Sequence, residues 1–128
     1  MVSIMLVDDE PELRFLVKRM LKREGYEVIE AANGEESLEM LKTIKPGLIL
    51  MDVRMPGLDG WEVCKRIKEN PKTKNIPVII FSVRDSEESL KRSFEYAHAD
   101  AHIGKPFEIR EFIDKIKIIF EKSSSQGK

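Results

Sequence analysis

Five side chains able to do chemistry stand just after runs of apolar residues. Asp8 and Asp9 follow Ile4-Met5-Leu6-Val7, Asp52 follows Leu48-Ile49-Leu50-Met51, Ser82 follows Val78-Ile79-Ile80-Phe81, and Lys105 follows Ala101-His102-Ile103-Gly104. Each alone has an ordinary role: an aspartate capping a helix that begins near Pro11, a turn-initiating acid, a loop hydroxyl, a solvated lysine. Together they make a different chemistry. Three carboxylates at one place repel unless a cation neutralises them. A hard divalent ion such as Mg²⁺, taking oxygen ligands and keeping several waters, suits that cluster. Lysine adds a fixed positive charge, and serine a hydroxyl donor, for an anion bound opposite the metal. Metal, lysine and hydroxyl around one carboxylate describe phosphoryl transfer to an aspartyl nucleophile.

For these residues to meet, the elements carrying them must run side by side. The runs at Ile4–Val7, Leu48–Met51 and Val78–Phe81 are unbroken, as strands buried on both faces of a parallel sheet require. Tyr26-Glu27-Val28-Ile29-Glu30 carries two carboxylates, and Ala101–Gly104 is short and holds a histidine, so these two belong at the edges. Helical spacing joins Leu13, Leu16, Val17, Met20 and Leu21, with Pro11 opening the segment and Gly25 closing it. It also joins Leu38, Leu41 and Ile44; Val63, Cys64 and Ile67, capped by Asp59; Leu90, Phe94 and Ala97, starting near Asp85-Ser86; and Ile109, Phe112, Ile113, Ile116 and Phe120. The alternation predicts an α/β fold: a doubly wound, flavodoxin-like five-stranded parallel sheet, order 2-1-3-4-5, with helices on both faces. The carboxyl ends of strands 1 and 3 then flank the topological switch point, where sites form in such sheets.

Composition narrows the field. Lys+Arg number 22 against Asp+Glu 23 in 128 residues, a net charge of -1, which removes the case for sequence-independent nucleic-acid binding. One cysteine, Cys64, excludes an internal disulfide framework. No apolar stretch approaches the roughly 20 residues needed to cross a bilayer, and the first residues lack a signal-peptide pattern. The expectation is a cytoplasmic protein that touches neither nucleic acid nor membrane. The expectation for organisation is a single domain over residues 1–122 followed by a flexible polar tail at 123–128, which could equally open a linker; these 128 residues themselves leave no room for an output module.

The sequence resembles the receiver domains of two-component response regulators. The matching stretches are Val7-Asp8-Asp9-Glu10-Pro11, Leu50-Met51-Asp52-Val53-Arg54-Met55-Pro56-Gly57-Leu58-Asp59-Gly60, Phe81-Ser82 and Lys105-Pro106-Phe107, in the family's order and spacing. The resemblance covers residues 2 to about 121. It implies that Asp52 accepts a phosphoryl group from a phosphohistidine on a sensor histidine kinase or phosphotransfer protein. It also implies that Asp8, Asp9, Asp52 and the backbone carbonyl of Arg54 hold Mg²⁺. Ser82 and Lys105 would contact the phosphoryl oxygens, and the Lys105-Pro106 bond would be cis. Output would pass to a protein partner through the face made by helix 4, strand 5 and helix 5. Such a domain is a phosphoacceptor rather than an enzyme, limited to self-directed phosphotransfer and autodephosphorylation. An aspartyl-phosphate phosphatase of related topology would need a carboxylate at position 54, where this chain has Arg54. A flavin carrier would need a first loop less acidic than Asp8-Asp9-Glu10-Pro11. A degenerate scaffold is argued against by the full set of site residues.

Departures from the family pattern raise separate expectations. The family usually has Tyr or Phe three residues before the lysine; here it is His102, either a half-exposed edge histidine or a switch residue working with Ser82. His98 stands where glycine would cap helix 4, suggesting a strained exit. Val83 narrows access to the site, and Arg54 and Arg84 flank the path of an attacking water and should slow hydrolysis. Trp61 reads as a partly exposed residue near the site, Cys64 as core, and Ile118 as a contact residue off the main stripe.

Overall fold

A computed structural model describes residues 2–82, 86–105 and 107–126, with side chains through 122. Val83, Arg84, Asp85, Pro106 with its preceding peptide bond, and the side chains of the 123–128 tail, all singled out above, lie outside the described residues. Five parallel strands, β1 (Ser3–Val7), β2 (Glu27–Ala31), β3 (Leu48–Asp52), β4 (Val78–Ser82) and β5 (Ala101–Gly104), form one sheet in the order β2-β1-β3-β4-β5. The helices are α1 (Pro11–Arg23), α2 (Gly34–Met40), α3 (Gly60–Glu69), α4 (Glu87–Lys91) and α5 (Ile109–Gln126). The expected order holds because the strands differ in what they tolerate. β3 and β4 are buried at every position, whereas β2 is exposed at Glu27, part-buried at the next three positions and buried only at Ala31, so it accepts Glu27 and Glu30 at the edge.

Successive strand residues face opposite ways, so each central strand feeds two cores. Ile4, Leu6, Leu48, Leu50, Ile79 and Phe81 pack with Val17 and Leu21 of α1 and Phe112, Ile113 and Ile116 of α5. Met5, Val7, Ile49, Met51, Val78 and Ile80 pack with Trp61, Val63, Cys64 and Ile67 of α3. Fully burying one such aliphatic side chain is worth about 1.5–3 kcal/mol, so these two layers are what hold the site's elements in register. Cys64 is core, as expected; burial pushes its thiol up to about 12, so it is inert at neutral pH. Asp59 Oδ1 accepts from Glu62 N at 2.9 Å and caps α3, also as expected.

Three expectations about apolar stripes fail. Leu16 is 53% exposed and Ile109 59%, so neither belongs to the core that its spacing suggested. Along α4 and the turn that follows it, Ala97 is buried as expected, but Leu90 and Phe94 are exposed and Ser89 and Ser93 face inward instead. After Lys91 the helix loosens into a π-helical turn, Arg92–Tyr96, closed by Ala97 N to Arg92 O at 3.0 Å. His98 follows with φ +60°, the strained exit expected where glycine would be relaxed.

Candidate functional site

The carboxyl ends of β1, β3 and β4 and the loop after β5 bring the acids, the serine and the lysine to one edge of the sheet. Asp8 is fully buried, with Oδ1 accepting from Glu10 N at 2.9 Å. Arg14, one turn into α1, donates from Nη1 to the Asp8 carbonyl at 2.7 Å. The Arg14 Nε lies 3.4 Å from Glu30 Oε1 on β2, and Lys18 Nζ lies 3.0 Å from Glu30 Oε2. The acidic loop is thus tied to both α1 and the edge strand. Hydrogen bonding from Lys18, more than anything else, holds the Glu30 carboxyl below its ordinary range.

Asp52 closes β3 and is 4% exposed. Lys105 Nζ lies 3.2 Å from its Oδ1 and 3.5 Å from Asp8 Oδ2, and rests 4.3 Å from the centroid of the Phe81 ring. Burial raises the Asp52 carboxyl from 3.8 to about 6; Lys105 opposes this and the charge of Asp8 reinforces it. Ser82 is fully buried at the end of β4, and its carbonyl accepts from Lys105 N at 2.7 Å, fixing the start of the lysine loop.

The loop after β3 completes the edge. Gly57 has φ +79°, a conformation glycine adopts without strain, and the loop turns there. Gly60 N bonds to Val53 O at 2.9 Å, and a Cβ at Gly60 would collide with the Asp52 carbonyl. Only glycine lets α3 start this close to the end of β3. Beside it lies a cleft of about 430 Å³ lined by Asp9, Val53, Arg54, Met55, Pro56, Asp59 and Trp61.

Among the described residues, Asp8, Asp9 and Glu10 present carboxylate oxygens within 4.8 Å of one another. This all-oxygen, anionic donor set fits a hard divalent cation. Asp52, expected as a member of the metal cluster, is not in that group; its partner is Lys105. Glu10 was missed although it adjoins the aspartates in the sequence. Arg14 was missed because nothing in its spacing shows that it turns back to Asp8. Two further expectations need correction. Trp61 is 6% exposed rather than partly exposed, and His102 is 7% exposed rather than half-exposed. Both hydrogen-bond to Ser93 of the π turn, a residue carrying no signal in the sequence.

The sequence profile of the response regulator receiver domain matches residues 4–117. The alkaline phosphatase synthesis transcriptional regulatory protein PhoP of Bacillus subtilis is 38% identical, over 94% of this chain and 49% of its own length. Among solved structures, a CheY-like response regulator receiver domain protein from Methanospirillum hungatei superposes with a TM-score of 0.91 at 28% identity, covering 98% of both chains. The response regulator TrrA of Thermotoga maritima, solved in complex with Mg²⁺-BeF, gives 0.82 at 37% identity, covering 91% of this chain and 97% of its own. The chain belongs to the response regulator receiver domain family, and its role is that of a signalling domain in two-component systems. It spans about half the length, or less, of the curated relatives it matches.

Proposed function

We propose that Asp52 is the phosphoacceptor, taking a phosphoryl group from a phosphohistidine of a sensor kinase or phosphotransfer protein. A carboxylate oxygen of Asp52 attacks phosphorus, the O–P bond forms as the N–P bond breaks, and the donor imidazole leaves with the bonding pair. The observation that carries this reading is the Lys105 ammonium, 3.2 Å from Asp52 Oδ1 and 3.5 Å from Asp8 Oδ2. It is a fixed positive charge where the equatorial oxygens gather negative charge. Asp8, Asp9, Asp52 and the Arg54 carbonyl would hold Mg²⁺, with Glu10 close enough to assist. When bound, the ion neutralises charge on the transferring oxygens.

Ser82 donates its hydroxyl to a phosphoryl oxygen of the modified Asp52, and His102 follows as the switch residue on β5. Phosphorylation adds roughly -1.5 to -2 charge, enough to bias such a pair between two arrangements. The donor docks beside Lys105. An apolar groove of about 520 Å³ reaches it, lined by Leu13, Phe15, Leu16, Met20, Phe107 and Ile109. Output passes to a protein partner through α4, β5 and α5, where Leu90, Phe94 and Ile118 are exposed. The domain turns over no external substrate, binds no nucleic acid or membrane itself, and works in the cytoplasm beside its kinase. Among the described residues no helix is long and apolar enough to cross a membrane. The test is incubation with a small phosphodonor and Mg²⁺, followed by intact mass. One phosphoryl is gained by the wild type and none by Asp52→Asn; a gain retained in Asp52→Asn overturns the assignment.

A further inference from the structure

The π turn at Arg92–Tyr96 contributes no side chain to the lining of the acidic cleft, yet it carries a buried polar side chain. Single π turns inside helices are frequent at functional sites. Here the inward residue is Ser93, fully buried, whose Oγ accepts from Trp61 Nε1 at 2.9 Å and lies 2.8 Å from His102 Nδ1. An indole N–H only donates, so one lone pair of Ser93 is committed to Trp61. The hydroxyl keeps a proton and a second lone pair, and either serves the imidazole nitrogen.

These three residues stand on three different elements. Trp61 is in the first turn of α3 and forms a wall of the cleft that holds Asp9 and Arg54. The guanidinium of Arg92 lies 5.1 Å from the Trp61 ring centroid. His102 is on β5, paired in register with Ile80, and three positions before Lys105. A hydrogen-bonded path therefore runs from the cleft wall to the edge strand without passing through Ser82. All three side chains are buried, at 6%, 0% and 7% exposure. Away from water a broken link costs its polar atoms a hydrogen bond, so a displacement of Trp61 is met by a movement of Ser93, whose Oγ is shared with His102.

We propose that Ser93 is a positioning residue that couples the Trp61 wall of the acidic cleft to His102. Filling the cleft with metal and a phosphoryl group is thereby transmitted to β5 through the Trp61–Ser93–His102 chain. This rests on the phosphoryl-accepting reading of the cleft. It adds a route specific to a chain with histidine, not tyrosine or phenylalanine, at position 102.

The test uses beryllofluoride with Mg²⁺ as the phosphoryl mimic, and NMR. Trp61 is the only tryptophan, and His102 has one companion, His98, so the indole N–H and both rings are readily assigned. In the wild type, a bound ¹⁹F signal should appear with shifts of the Trp61 indole and the His102 ring. In Ser93→Ala the ¹⁹F signal and the indole shift should remain while the His102 shift shrinks to the part that Ser82 carries; Ser93→Thr, which keeps a hydroxyl, should restore it. Trp61→Phe, deleting the donor but keeping a ring, should reduce the His102 shift likewise at saturating beryllofluoride, and decides the matter should Ser93→Ala not fold. A full His102 shift in either variant with beryllofluoride bound overturns the coupling alone. A wild type that binds no beryllofluoride overturns the reading of the cleft and the coupling with it.

Discussion

Lys105 Nζ stands 3.2 Å from Asp52 Oδ1, although 53 positions separate the two residues. An ammonium at that distance normally lowers a carboxyl group, but here burial outweighs it, and the adjacent charge of Asp8 adds to the burial. One lysine does not balance two buried carboxylates. The Asp8–Asp9–Glu10 cluster beside them is a donor set that fits a further cation.

Stability of the metal-free protein should therefore fall as Asp52 ionises. Its folded value of about 6 lies above the usual 3.8, so the folded state binds the proton more tightly than the unfolded chain does. The contribution is fully present below the unfolded value and is lost as pH rises through the folded one, about 2–3 kcal/mol in all. Urea unfolding in a chelator, near pH 4.5 and 7.5, should show Asp52→Asn gaining on the wild type at the higher pH. Equal differences at both pH values would refute it.

Mg²⁺ should reverse that loss. At a free concentration of about 100 times Kd, a ligand specific for the folded state stabilises by about 2.7 kcal/mol. Thermal unfolding should show this for the wild type and much less for Asp9→Asn. Glu10→Gln decides whether the third carboxylate of the cluster, within 4.8 Å of the aspartates, is a ligand or a neighbour. A ligand weakens the metal-dependent shift when removed; a neighbour leaves it unchanged.

The strand order and the edge that carries the acids could be read in advance because a strand buried on both faces leaves an uninterrupted apolar run. Ile4–Val7, Leu48–Met51 and Val78–Phe81 are such runs, and an acid, or the Ser82 hydroxyl closing β4, marks where each ends. What was illegible depended on partners brought from far away. Ser93 is buried with its hydroxyl bonded to Trp61, 32 positions distant, a pairing that no local spacing announces. Leu16 and Ile109 have core-like spacing yet stay exposed, since periodicity gives the face of a helix but not what covers it. The sequence supplied the acid loop but not Arg14, whose reach back to Asp8 exists only once α1 has formed.

Arg14 makes the next prediction. Arg14→Met keeps the aliphatic stem and removes the donor to the Asp8 carbonyl and the partner of Glu30. Loss of a charged hydrogen bond of this kind costs roughly 1.5–3 kcal/mol near neutral pH. The depressed Glu30 value contributes stability that is present above its usual 4.5 and is lost as pH falls through the folded value. The difference between wild type and variant should therefore narrow in acid. Titration calorimetry should also find weaker Mg²⁺ binding, since the Asp8 loop has lost its anchor.

Gly60→Ala separates the architecture of the site from its charges. The added methyl has no room, because it points at the Asp52 carbonyl and close to Val53, and both are backbone at the end of a buried strand. Either α3 backs away, losing the Gly60 N to Val53 O bond, or β3 shifts and carries the Asp52 carboxylate off Lys105. Overpacking of this kind costs about 1–3 kcal/mol. The two responses have different signatures. If α3 yields, Trp61 moves, its emission changes, and phosphoryl acceptance from a small donor survives. If β3 yields, acceptance falls while the Trp61 emission stays as it was. Since β3 is held by neighbours on both sides and α3 by one packed face, the first outcome is expected: altered Trp61 emission, reduced stability, and a phosphorylatable Asp52.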